Sequence, residues 1–324
     1  MGEKVTDEQQ NKQDAGDKSG VTVLLALAAN AVIAVAKFMV GASTGSAAML
    51  SEGAHSVADT FNQGFLFTAI KRSERPPDVD HPFGYGKERF FWSLLAAVGI
   101  MVAGAGFSLL EAYRAIFGSK SGEESYLWAF VVLGFAFLLE GTSWARAVWQ
   151  TRSEARQADL GIVEHVRVSS DPTVKTVASE DSAALVGIAF AAAGLLLHKV
   201  TGQQYWEGIA SLLIAILLIF VAYALGADAK GMLIGEAATE RTREQIEDQL
   251  RNTEGIDEVI EVLTMRMGTG KVLVAARIDL EADLGAEDVE ELSTKIEQDM
   301  HAAIPEVYQV FLDATDKGVA QQAH

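Results

Sequence analysis

The 324-residue chain contains no cysteine. A disulfide framework, a thiolate zinc site and a cysteine nucleophile are all excluded by that one absence. Basic residues are scarce, with 26 Lys and Arg against 44 Asp and Glu, a formal charge of −18. A nucleic-acid binder needs a basic face, so nucleic acid is not an expected partner. Only five prolines occur, Pro76, Pro77, Pro82, Pro172 and Pro305. All five lie outside the long apolar stretches, which leaves those stretches free to form uninterrupted helices.

Apolar residues make up 49% of the chain against 22% charged, and the mean hydropathy is +0.18. They gather in blocks at about 21–41, 46–70, 90–117, 127–149, 174–198 and 206–227. Each block is long enough to cross the ~30 Å hydrocarbon core of a bilayer as a helix. The expectation is an α-helical membrane protein with six transmembrane helices over 21–234. Residues 1–20 lack the apolar region of a signal peptide and read as a disordered cytoplasmic tail. The connector after the second span carries Lys71, Arg72, Arg75, Lys87 and Arg89, and the one after the fourth adds Arg152, Arg156 and Arg167. Lys120 and Lys199 are nearly all the other side offers. The positive-inside rule then predicts both termini in the cytoplasm, as an even number of spans requires. In a bacterium the membrane would be the cytoplasmic, inner one.

From about Gly235 the pattern becomes that of a soluble domain. Residues 241–252 have helical spacing, 259–267 and 271–280 are strand-like and joined by Gly268-Thr269-Gly270, 287–303 is helical, and 307–312 is a last short strand. This order predicts a small cytoplasmic α+β domain of ferredoxin-like type over 235–316, with 317–324 as a tail. From Glu236 onward there are 8 Lys and Arg against 21 Asp and Glu, a net charge of −13. Such a domain attracts cations and resists docking on an anionic membrane.

An ionisable group inside a span costs at least ~2.5 kcal/mol at the helix centre, which makes it a functional candidate. The second span carries Glu52, His55 and Asp59, and the fifth carries Glu180 and Asp181. His55 and Asp59 stand four apart, one turn along one helix face, where an imidazole and a carboxylate can share a divalent cation. Glu180 and Asp181 differ by about 100° in direction, so they do not both aim at one spot. A tetrahedral site from His55, Asp59, Asp181 and either Glu180 or water is chemically reasonable. Competing structural readings exist. Glu52 alone is better explained as an interhelical hydrogen-bond partner, and Lys37 in the first span offers a buried ion pair in place of a metal. Glu111, Arg114, Glu140 and Arg146, nearer the ends of the third and fourth spans, read as snorkelling or paired residues, and Asn30 as a helix contact.

The segment Ser51-Glu52-Gly53-Ala54-His55-Ser56-Val57-Ala58-Asp59 resembles the second-span metal motif of the cation diffusion facilitators. Asp80-His81-Pro82-Phe83-Gly84-Tyr85-Gly86-Lys87 is similar to the loop that follows it in that family. The run from Ser170 through Ala184, with Glu180 and Asp181, is most similar to the branch that includes the animal mitochondrial zinc transporter. The resemblance implies a homodimeric exporter that exchanges a divalent cation, zinc or a similar metal, for protons, with dimer contacts in the C-terminal domain. The metal is then cargo, and no prosthetic group is implied. It further implies His55, Asp59 and Asp181 as ligands. The fourth ligand of the family lies one turn before Asp181, where this chain has Val177, which binds no metal; Glu180 is the available substitute. A second loop site retains Asp78 and His81 but has Tyr85 for its third ligand. In the C-terminal domain the histidines are His301 and His324, Phe311 stands where a ligand often lies, and Asp313 remains. A transport-inactive membrane scaffold of the same fold is the rival reading. An enzyme is not expected, since no His-Glu-x-x-His run is present.

Overall fold

The computed structural model describes residues 27, 28, 30–118, 126–157, 161, 172–282 and 284–315, with the side chains of 157 and 172–179 also left out. Both expected tails lie outside the described residues. Six helices come first: α1 (Asn30–Thr44), α2 (Ala47–Ser73), α3 (Glu88–Phe117), α4 (Tyr126–Gln157), α5 (Pro172–Thr201) and α6 (Tyr205–Ile234). They are followed by α7 (Glu240–Arg251), β1 (Ile256–Gly268), β2 (Lys271–Leu280), α8 (Ala286–Ala303) and β3 (Val307–Ala314).

Four stretches among the described residues are long and apolar enough to cross a membrane: Glu88–Phe117, Tyr126–Arg156, Glu180–Thr201 and Tyr205–Ile234. These correspond to the last four of the six expected spans. The first two do not meet the same standard. α1 is described only from Asn30, and α2, though 27 residues long, is diluted by Ser51, Glu52, His55, Ser56, Asp59, Thr60 and Asn62. The helix expected to carry the chemistry is thus the least lipid-like of the long ones.

The chain divides into two compact units. The first holds α1, most of α2 and α3, α4, α5 and most of α6. Its core runs from Ile33, Ala48 and Met49 through Ala97 and Ile100 to Leu133, Ala191, Leu195, Ile214 and Leu218. Small residues let these helices approach closely, as expected where no hydrophobic force separates helix from lipid. A Cβ on Gly104 would lie 3.0 Å from Leu218 and 3.5 Å from Ala58, beside Asp59. Gly104 belongs to a π-helical turn in α3, Ile100–Ala105. Such widened turns recur at functional sites. At the α1–α2 turn, Ser46 donates to Glu207, whose other oxygen lies 2.6 Å from His198 Nδ1. This buried trio joins the N-terminal ends of α2 and α6 to the C-terminal end of α5.

The second unit contains the end of α2, the connector to α3 and everything from the end of α6. Its sheet has the order β1-β2-β3, with β1 and β2 antiparallel and β2 and β3 parallel. The hairpin turns at the expected glycines, and Gly270 adopts a positive φ of 61°. Val272, Val274, Ala276 and Ile278 alternate along β2 and bury against Ile246 and Leu250 of α7 and Ile296 and Met300 of α8. The predicted order of helix, hairpin, helix and strand is therefore observed, with both helices contributing to one core. The connector rests on the sheet within this unit. Phe83 meets Phe311 edge-on at 6.4 Å, and Gly86 packs so closely on Gly268 that a Cβ there would strike the Met267 carbonyl.

Candidate metal centre

His55 and Asp59 occupy adjacent turns of α2, and the spacing does what helix geometry requires of it. Nε2 of His55 lies 2.8 Å from Oδ2 of Asp59. His55 is 1% exposed, while Asp59 keeps 14% of its side chain accessible. Asp59 is thus the partner of Nε2, while Nδ1 has no hydrogen-bond partner among the described residues. A buried ring nitrogen left unbonded carries a desolvation cost, which makes this imidazole a candidate for function rather than for packing alone.

Lys37 reaches the same region from α1 but does not pair with Asp59. Its ammonium donates to Glu52 Oε2 at 3.0 Å and to Ser56 Oγ at 2.8 Å, and both ions are fully buried. The structural role expected for Glu52 is the one seen, and Lys37 neutralises Glu52 rather than the candidate ligands. Gly187 of α5 allows the approach, because a Cβ there would strike Glu52 Oε1.

On α5 the neighbouring acids diverge as the 100° step demands. Glu180 is buried, and both its oxygens accept from Asn62 Nδ2 of α2, at 2.6 and 2.5 Å. Asp181 turns toward α4, where Ser143 Oγ donates to its Oδ2 at 3.0 Å. Glu180 and Asp181 both remain within electrostatic reach of Asp59. The structure brings His55 and Asp59 together and keeps Glu180 and Asp181 beside them, each held by a neutral partner. Among the described residues no three His, Asp or Glu side chains converge closely enough to hold one ion. The Val177 side chain lies outside the described ones.

Sequence reasoning missed three residues here. Asn62 is one turn beyond Asp59 on α2, and that spacing was a usable signal. Ser143 carries no sequence signal at all. Glu140 read as a helix-end residue, yet it lies half-buried within electrostatic reach of Asp59, Lys37, His55 and Asp181. By contrast, Glu111 and Arg114 pair at 2.7 Å, as expected.

In the α2–α3 connector, Asp78 accepts from the Tyr85 hydroxyl at 2.6 Å and from the His81 backbone N–H at 2.7 Å. The His81 and Tyr85 rings stack with centroids 4.2 Å apart, and His81 Nδ1 lies 3.3 Å from Asp78 Oδ1. The Tyr85 hydroxyl, helped by the His81 N–H, holds the Asp78 carboxyl below the ordinary aspartate range. The same bond pushes the Tyr85 phenol up. Asp78 and His81 are thus adjacent, as the second-site reading needs, but Tyr85 occupies one carboxylate oxygen.

In the C-terminal domain, His301 Nδ1 lies 2.8 Å from the Val307 carbonyl, and His324 is outside the described residues. Asp313 accepts from Arg277 Nε at 2.8 Å and from Thr315. The Arg277 hydrogen bond, then that of Thr315, keeps the Asp313 carboxyl below its usual value. A lowered carboxyl contributes in full above its unfolded value, and the contribution is lost as pH falls through the lowered one. Arg277→Gln is therefore expected to raise the Asp313 titration midpoint toward the ordinary aspartate value. Carboxylate carbon NMR reads this directly, and an unmoved midpoint would refute the coupling. Asp313 is exposed and Arg277 partly so, which leaves the pair open to solvent screening, and little effect on stability should accompany the change.

The cation efflux transmembrane domain family matches residues 23–234. Metal tolerance protein C4 of Arabidopsis thaliana is 34% identical over 262 residues, 81% of this chain and 57% of that protein. The human mitochondrial proton-coupled zinc antiporter SLC30A9 is 32% identical over 264 residues, 81% of this chain and 46% of that one. The magnetosome protein MamM of Paramagnetospirillum magneticum is 24% identical over 257 residues, covering 78% of this chain and 76% of its own. A solved nickel form of the MamM C-terminal domain aligns with 24% of this chain and 99% of its own, at 14% identity and a TM-score of 0.23. The chain spans about half the length of the first two relatives. With a family match across all six helices and a relative above 30% identity over most of its length, the chain belongs to the cation diffusion facilitator family, near the branch of the zinc antiporter SLC30A9.

Proposed function

We propose that the chain is a divalent-cation exporter, with zinc as its first-choice cargo, that exchanges metal for protons by alternating access across six membrane spans. The observation that carries this reading is the buried His55–Asp59 pair, with Nε2 2.8 Å from Oδ2, flanked by the acids of α5. His55, Asp59 and Asp181 are the ligands in this account. Glu180 could supply a fourth oxygen once it releases Asn62. Metal loading would exchange the Ser143 bond to Asp181 for coordination.

Binding needs a neutral imidazole and ionised carboxylates, so loading releases protons and protonation expels metal. An imidazole titrates near physiological pH and is the natural coupling group. The relatives named as a proton-coupled zinc antiporter and a metal tolerance protein support the same chemistry. Both termini cytoplasmic, a homodimer through the C-terminal domain, and a weak second site at Asp78 and His81 belong to this proposal. The family consists of transporters, and no enzyme activity is proposed.

The test is zinc transport in proteoliposomes under a pH gradient. Wild type should move zinc against protons, and His55→Ala combined with Asp59→Ala should reduce the rate to that of empty vesicles. Equal rates would favour the transport-inactive scaffold instead.

A further inference from the structure

The helices that carry the proposed ligands, α2 and α5, are tied by hydrogen bonds on both sides of His55. On one side Asn62 Nδ2 donates to Glu180. On the other stands Ser46, nine residues before His55 and about 14 Å away along the helix. The Ser46 hydroxyl donates to Glu207 Oε2 of α6, and Glu207 Oε1 lies 2.6 Å from Nδ1 of His198 near the end of α5. Two tight helical hairpins meet here, α1–α2 turning at Gly45 and α5–α6 at Gly202, with φ of 72° and 71°. The second hairpin is closely packed, since a Cβ on Gly194 of α5 would come within 2.6 Å of Ala210. In the proposed topology this is the end of the spans away from the cytoplasm.

The charge on this tie depends on one ring. The Glu207 side chain is 1% exposed and that of His198 9%. Among the described residues Glu207 has two partners, Ser46 and His198, and only the imidazole can become a cation. A lone buried carboxylate is costly, and a counter-charge beside it offsets that cost. An ionised carboxylate can only accept, so Nδ1 of His198 carries its hydrogen toward Glu207 and a further proton adds at Nε2. The neighbouring elements supply no other described cation to Glu207. The α1–α2 turn offers Thr44 and Ser46, which do not titrate, and α4 presents the Tyr126 ring edge-on to His198 at 5.8 Å. On α3, which packs against Gly208 of α6, Glu111 and Arg114 pair with each other. Lys199, next along α5, is exposed.

We propose that His198 and Glu207 form a proton-binding site separate from the metal centre, whose protonated state latches the outer ends of α2, α5 and α6 together. With the ring neutral, a single N–H donates to the carboxylate. With the ring protonated, the contact becomes an ion pair, and the closed arrangement binds the proton better than the open one does. Protons therefore shift the population toward a closed outer end. An exporter needs that direction of change once its metal has left on the acidic side. The inference rests on the exchange of metal for protons proposed above, and adds to it a proton site outside the metal centre.

The experiment measures spin-label distances in the metal-free full chain in lipid nanodiscs. Readings are taken at about pH 8 and about pH 5, the limits between which an imidazole changes charge. The cysteine-free sequence accepts labels at Ser43→Cys and Thr201→Cys, exposed positions at the ends of α1 and α5. Acid should enlarge the short-distance population by about fivefold, the scale of turning one hydrogen bond into a charge-paired one. His198→Gln, which keeps a neutral donor, should hold the high-pH population at both values. His198→Lys, which carries an ammonium, should hold the low-pH population, and Glu207→Gln should abolish the response. A parent without a response, or a response that persists in any of these variants that folds, would overturn the inference. Zinc transport by the unlabelled wild type tests the exporter reading separately. A latch that responds in a chain that moves no zinc would leave the proton site standing and remove that reading.

Discussion

His55→Ala is expected to weaken zinc binding to the full chain by about 100-fold or more, a larger loss than any other single change near the site. The reasoning starts from burial. His55 is 1% exposed, has Nε2 2.8 Å from Asp59, and has no hydrogen-bond partner for Nδ1 among the described residues. Losing a group that only supports a metal ligand costs 10- to 100-fold, so losing a ligand itself should reach at least the top of that range. The folded state should not suffer in proportion. Alanine removes a buried ring whose Nδ1 is unbonded, and its desolvation cost goes with it, while Asp59 keeps 14% of its side chain accessible to water when it loses its partner. The expected signature is therefore lost binding with retained or raised thermal stability in the metal-free state. A variant that loses stability and binding together would mark His55 as a packing residue instead. Calorimetric titration and a metal-free melting curve on the same preparation distinguish the two.

Lys37→Met should produce the largest loss of stability. It strands Glu52, whose only described cation lies 3.0 Å away and is fully buried with it. Breaking one partner of a buried pair costs about 3–5 kcal/mol, because the remaining charge is uncompensated. Ser56 loses its donor in the same step. The double variant Lys37→Met with Glu52→Gln should recover most of the loss, since a neutral amide needs no counter-ion. Chemical or thermal unfolding of the three proteins in one detergent measures the coupling. Additive losses would mean that the two residues do not interact.

The contrast between these two sites explains what could be read from sequence and what could not. His55 and Asp59 are four apart on one helix, so local geometry alone brings them together. The hairpin at Gly268 and Gly270 and the alternating Val272, Val274, Ala276 and Ile278 were legible for the same reason. The partners of the acids were not. Asn62 meets Glu180 across 118 positions and Ser143 meets Asp181 across 38. Those pairings depend on how α2, α4 and α5 are rotated and staggered, which no short-range periodicity records. Glu140 read as a helix-end residue, yet it is half-buried within electrostatic reach of Asp59, which a single helix's spacing does not reveal. The π turn of α3 had only its glycines to announce it. α2 reads as a span on length, although its polar residues make it less apolar than its neighbours.

The central claim is that α2 and α5 present their acids to a single ion, and the cysteine-free sequence permits a direct test. Asp59→Cys and Asp181→Cys, made together in the full chain, would introduce its only two thiols. Soft cations favour thiolates. The account predicts that the double variant binds one cadmium ion per chain through both sulfurs, with an affinity far above either single variant, as cadmium absorption spectroscopy would read. Two independent weak sites, each matching its single variant, would show that the two helices do not share an ion.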